Sequence, residues 1–100
     1  MGLTGGSADG GIDVITSRWA VQVKHADKRV GRPIAQQIVG ASLAVGRHPA
    51  IVSTSGFTAP AIDYAADHHV ALLELDLDGR VHRVNPAAHQ VGKRPRRLSR

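Results

Sequence analysis

The sequence predicts an α/β fold, a small mixed β-sheet of four or five strands flanked by two helices. Three observations predict it. Val, Ile, Thr and Trp, which strands favour, dominate residues 9–24 on both sides of a polar reversal. Behind Pro33, Ile34, Ile38, Ala41 and Val45 recur at helical spacing. Two apolar runs, residues 50–55 and 70–75, bracket a second helical segment, so this unit reads as β-α-β with parallel strands and a right-handed crossover.

One hundred residues make one small domain. Aromatics are 3% against 42% hydrophobic residues, so the core rests on Ala, Val, Ile and Leu. The absence of cysteine excludes disulfides and thiolate zinc sites. No apolar run approaches the ~20 residues of a membrane span, and no basic-then-apolar leader opens the chain. The expectation is a cytoplasmic protein with no membrane partner. Charge is uneven. Residues 1–79 carry six Lys or Arg against eight Asp or Glu, net −2, whereas residues 80–100 carry seven Lys or Arg and no acid, net +7. A basic arm on a near-neutral body suits a polyanion, most simply nucleic-acid phosphate; a solvated arm is the other reading.

The elements follow in order. Gly5-Gly6 and Gly10-Gly11 lack the Gly-Lys-Ser/Thr ending of a nucleotide-binding loop, and a strand follows them rather than a helix. They read as a turn or a close backbone approach. Residues 12–16 and 19–24 read as a hairpin around Ser17-Arg18, with Thr16 opposite Trp19, Val14 opposite Val21 and Asp13 opposite Gln22. Alternation then puts Asp13, Ile15, Ala20, Gln22 and Lys24 on one face. Ile12, Val14, Thr16, Trp19, Val21 and Val23 take the other, the better core by composition. A one-residue slip would separate Asp13 from Gln22.

Asp13, Gln22 and Lys24 thus converge at the open end of the hairpin. Carboxylate and carboxamide oxygens are hard ligands for Mg²⁺, which takes one or two protein oxygens and fills its remaining positions with water and phosphate. A neighbouring lysine can orient a water and offset charge on a phosphate. Such a trio suits phosphodiester hydrolysis. An edge carboxylate salt-bridged to a lysine is the plainer reading.

Residues 26–32 form a loop bearing Lys28, Arg29 and Arg32, suited either to DNA phosphates or to solvent. Pro33 opens a helix that Gly46 stops, with Gln36 and Gln37 off its apolar face. Thr58 caps a second helix that ends near His68. His68-His69 point in different directions and suit a helix end better than a shared metal. Asp76-Leu77-Asp78-Gly79 lacks the distal Glu of a calcium loop. Asp78-Gly79 reads instead as a turn into a last strand near residues 80–84. Beyond Asn85-Pro86 the expectation is a basic, disordered tail over residues 85–100.

Taken together, Asp9-Gly10-Gly11-Ile12-Asp13, Gln22-Val23-Lys24, Gly31-Arg32-Pro33 and Gln36-Gln37-Ile38-Val39-Gly40 resemble the Mrr-type restriction endonuclease catalytic domain. The family is a branch of the PD-(D/E)XK nucleases in which Gln replaces the acid of the last triplet. Thr54-Ser55-Gly56-Phe57-Thr58, Ala61 and Tyr64-Ala65 extend the likeness, which covers about residues 3–80. It implies a restriction-endonuclease-like fold over residues 1–84 and a Mg²⁺- or Mn²⁺-dependent DNA endonuclease. Asp13 and Gln22 become metal ligands, Lys24 the catalytic lysine, and Asp9 part of the approach loop. Lys28, Arg29, Arg32 and Gln36 face DNA. Target choice is left to a separate recognition domain or subunit, or to a homodimer. The family places a helix ahead of the Gly-rich loop, and this sequence starts at Met1-Gly2-Leu3. The expectation is therefore a domain with its N-terminal helix missing and part of its sheet uncovered. Two alternatives follow from that departure: an inactive nucleic-acid-binding module on a decayed nuclease fold, or an assembly part that needs a partner chain.

Overall fold

The computed structural model describes residues 12–91 and the backbone of Gly2–Leu3. One mixed sheet runs in chain order through β1 (Gly2–Leu3), β2 (Val14–Ile15), β3 (Trp19–Lys24), β4 (His48–Ser53), β5 (Ala71–Leu75) and β6 (Val81–Arg83). The pairs β1–β2, β2–β3 and β5–β6 are antiparallel; β3, β4 and β5 are mutually parallel. The two parallel connections contain α1 (Arg32–Ala44) and α2 (Ala59–His68). Beyond the two-residue β1, this is the expected α/β sheet of five strands and two helices. Among the described residues the first helix is α1.

The β2–β3 register is the predicted one, Val14 with Val21 and Ile15 with Ala20. Ser17-Arg18 has no Asn-Gly signal, and the turn is closed by other means. Thr16 Oγ1 accepts from the N–H groups of Arg18 (3.2 Å) and Trp19 (2.9 Å). From the α1–β4 loop, Arg47 Nε donates to the Thr16 carbonyl at 2.9 Å.

The assignment of the better core face is corrected. The larger core lies where α1 and α2 cover the sheet, and it takes Ala20, Ile51 and Leu72 from the strands with Ala35, Ile38, Ala61 and Ala65 from the helices. The opposite face holds a smaller cluster of Trp19, Ala50, Ala71, Leu73 and Ala88. On that face Val23 remains 42% exposed.

The helix limits match the sequence signals. Gly46 takes φ +68° just after α1. Thr58 Oγ1 caps α2 at the Ala61 N–H. His68 Nδ1 lies 3.0 Å from the Tyr64 carbonyl and its ring stacks on Tyr64, a helix-end arrangement.

The start of the expected tail is also corrected. Pro86–Gln90 forms a 3₁₀ helix that packs on the second face through Ala88. Asn85 holds it. Its Oδ1 accepts from Leu72 N and Ala88 N (both 3.1 Å), and its Nδ2 donates to the Val70 carbonyl at 2.9 Å. Residues 92–100 lie outside the described residues.

The β5–β6 reversal is built on Asp76. Its Oδ1 accepts from Asp78 N and Arg80 N (both 2.9 Å), and its Oδ2 lies 2.7 Å from His82 Nε2. Gly79, at φ +82°, completes the turn.

Two predictions follow from these contacts. Asn85→Ala leaves the buried Leu72 N–H and Val70 carbonyl without this partner, so urea unfolding should show a loss of about 3 kcal/mol. The His82 hydrogen bond, with the Arg80 and Asp78 amides, holds the Asp76 carboxyl below its ordinary value of 3.8. A lowered pKa means that the folded hairpin favours the ionised form. Its contribution is complete above that ordinary value and is lost as pH falls through the folded value. Amide exchange at Arg80 should accelerate at acid pH relative to other hairpin amides, and Asp76→Asn should remove that pH dependence.

Candidate active site

The parallel pairing brings the carboxyl ends of β3, β4 and β5 to one edge, where open α/β sheets place ligands. Register aligns Lys24 with Ser53 and Ser53 with Glu74 across that edge. The loops leaving β3 and β4 are fastened together. Thr54 N donates to the Lys24 carbonyl at 3.1 Å, Val30 N to the Gly56 carbonyl at 2.9 Å, and Thr58 N to the Val30 carbonyl at 2.9 Å. Ser55 Oγ donates to the Lys28 carbonyl. Ser53, fully buried, accepts at Oγ from Ser55 N (3.1 Å) and Gly56 N (3.0 Å).

Asp13 reaches this edge from β2, though not as a plain ladder partner of Gln22. Its N–H donates to the Val21 carbonyl at 2.8 Å, and Val14 also pairs with Val21. Two residues facing one form a bulge. The extra residue explains why Ile12 joins the core under the helices, opposite to its expected face. The Asp13 carboxylate turns onto β3, where Oδ2 accepts from Val23 N at 2.8 Å, between Gln22 and Lys24. Oδ1 makes no hydrogen bond among the described residues.

Gln22 is 5% exposed, and its Oε1 is buried with no hydrogen-bond partner among the described residues. Lys24, two residues on along the same strand face, is half-buried and makes no ion pair among the described residues. The three residues that the sequence singled out are therefore linked through one backbone segment: Asp13 is bonded to the amide that separates the other two.

The four expected DNA contacts are spread over adjoining surfaces. Lys28 and Arg29 are exposed on the fastened loop. Arg32 opens α1 with its guanidinium 5.6 Å from the Tyr64 ring centre, and Gln36 is exposed one turn later. Asp9 lies outside the described residues. Sequence reasoning missed Ser53, read only as part of a strand, and Asp27, passed over in a basic loop. Asp27 lines a hollow of about 540 Å³ beside the β3 terminus with His25, Ala26, Thr54, Ser55 and Leu77. A lone acid between a histidine and two cations was the available signal for Asp27; nothing local marked Ser53.

Comparison with known proteins agrees with this fold. No curated protein and no solved structure matches the chain. The Mrr catalytic-domain family, described as restriction endonuclease, matches residues 1–77, more than three quarters of the sequence, and the chain belongs to that nuclease family.

Proposed function

We propose that this domain is a metal-dependent DNA endonuclease that hydrolyses phosphodiester bonds with Asp13, Gln22 and Lys24 at its centre. The observation that carries this reading is the buried Gln22 Oε1, which has no partner beside a strand held by the Asp13 carboxylate. A buried unsatisfied acceptor costs on the order of 1–3 kcal/mol, which a folding role does not repay. Together with Asp13 Oδ1 it makes a pair of hard oxygen donors, the kind that Mg²⁺ or Mn²⁺ accepts while keeping water and phosphate in its other positions. The residues therefore fit a divalent ion, which when bound would supply charge to offset that on the scissile phosphate.

The chain's own residues do the rest. Asp13, fixed on the Val23 amide, and Gln22, fixed by burial, orient the donor oxygens. The Lys24 ammonium orients the attacking water and offsets charge as it builds on the phosphate oxygens. Lys28 and Arg29 on the loop, with Arg32 and Gln36 on the first turns of α1, contact the sugar-phosphate backbone and set the path of the duplex. No helix among the described residues is long and apolar enough to cross a membrane; a cytoplasmic location accords with a DNA substrate. Extended target recognition calls for a separate domain or subunit, and a double-strand cut for a second copy.

Plasmid nicking tests this reading. Wild-type protein with Mg²⁺ or Mn²⁺ should relax supercoiled DNA, EDTA should stop it, and Lys24→Ala should lower the rate by about 10²–10³-fold. Equal cleavage by both proteins overturns the assignment of Lys24, and binding without cleavage points to a non-catalytic DNA module. A second variant separates function from folding. Gln22→Met keeps the side-chain length and removes the orphaned oxygen. In EDTA it should be more stable than wild type by about 1 kcal/mol. It should also lose the rise in melting temperature that Mg²⁺ gives the wild type.

A further inference from the structure

We infer that Asp27 is a specificity residue, its carboxylate accepting from the exocyclic amine of a cytosine beside the cut. The inference rests on the DNA reading above and goes beyond it, because Asp27 belongs neither to the proposed catalytic centre nor to the phosphate contacts.

The argument starts from charge. Asp27 stands in the loop between His25 and the cations Lys28 and Arg29, on a surface read as facing a polyanion. A carboxylate there repels phosphates, so in a DNA complex it needs a donor. The Asp27 carboxylate has none within the protein: it makes no hydrogen bond or ion pair among the described residues, and it is exposed. It also lines the hollow of about 540 Å³ at the carboxyl ends of β3 and β4, next to the strand that carries Lys24.

Nearby contacts hold the backbone on either side of this carboxylate. One residue on, the Lys28 carbonyl is tied to Ser55 Oγ; two residues beyond that, Val30 is bonded to Gly56 and Thr58. On the other side, the Lys24 carbonyl is tied to Thr54 N. The loop is thus anchored before and after Asp27, the preorganisation that discrimination between bases requires.

Base chemistry then selects the partner. In the major groove guanine offers two acceptors and thymine an acceptor with a methyl group, and neither suits a carboxylate. Adenine offers an amine beside the acceptor N7, which opposes a carboxylate. Cytosine offers its amine alone. Leu77, fully exposed on the β5–β6 turn, gives the hollow an apolar wall suited to the C5–C6 edge of a pyrimidine. Cytosine is the base that meets both sides.

The test uses the full chain and a library of random-sequence duplexes, read in two ways. One is the base composition around the ends cut in Mg²⁺; the other is the composition of DNA retained by the protein in EDTA. Wild type should show about five-fold enrichment of cytosine at one fixed position, the low end of what a single base contact gives. Asp27→Ala should keep its fold by circular dichroism, bind random DNA more tightly, and lose the enrichment. Asp27→Asn should move it toward adenine, whose N6 and N7 match a carboxamide. No enrichment in wild type, or the same composition in wild type and Asp27→Ala, overturns the inference. If no ends are produced, the nuclease reading fails, and the retained pool still decides the role of Asp27 by the same comparison.

Discussion

The last two residues of β3 are pinned from opposite sides, and the candidate site depends on that. Toward β2, Val23 N is held by the Asp13 carboxylate at 2.8 Å; toward β4, the Lys24 carbonyl is held by Thr54 N at 3.1 Å. Strand ends normally fray where the ladder stops. Here the ladder is extended on one side by a side chain and on the other by the loop that leaves β4. Ser53 makes the second extension possible, because its buried hydroxyl folds residues 54–56 back over the edge. Gln22 and Lys24 therefore occupy a rigid strand terminus, as positioned chemical groups require.

Among the described residues two buried side-chain polar atoms lack partners, Gln22 Oε1 and Trp19 Nε1, and the two differ in what their burial indicates. The indole is a large apolar body in the smaller core, tilted against the His48 ring at 5.3 Å. Its burial is explained by area, and the lost hydrogen bond is an incidental cost. Gln22 has no such compensation. Leu or Met would fill its place without stranding an acceptor, and its neighbour on the strand, Val23, is the residue whose N–H the Asp13 carboxylate holds. Local rules of burial tend to be broken where function requires it.

The hairpin register was legible because alternation and the site of the reversal both pointed to Val14 opposite Val21. The β-α-β unit was legible because Thr58, Gly46 and the apolar runs act locally. The face of the sheet that carries the main core was not. Larger residues in the hairpin favoured the Trp19 face, but the helices cover the other side, where β4 and β5 contribute Ile51 and Leu72, a preference set by tertiary packing rather than hairpin composition. The bulge at Asp13 was hidden for a related reason, since one extra residue changes the alternation without changing the sequence pattern. Asn85 was misread because the partners that make it structural, Val70 and Leu72, are remote in sequence. Of the site, the residue types and their common strand end were readable, whereas the fastening of the loops at Ser53, Ser55 and Val30 was not.

A core of alanines and few aromatics gives limited apolar burial, and the fold compensates with one recurring device. Five connections are closed by a short polar side chain on nearby backbone N–H groups: Thr16 between β2 and β3, Ser53 after β4, Thr58 before α2, Asp76 between β5 and β6, Asn85 before the 3₁₀ helix. Asp13 on Val23 N belongs to the same series. A structural account of Asp13 and a catalytic one are therefore compatible, because they use different atoms. Oδ2 closes the β3 edge, as the other turn residues close theirs. A carboxylate has a second oxygen, and in Asp13 it makes no hydrogen bond among the described residues. Asparagine at this position could preserve the bond to Val23 N through its carbonyl oxygen, but its second polar atom would be a donor rather than a metal ligand. The carboxylate is the side chain that holds the strand and still leaves a hard oxygen available.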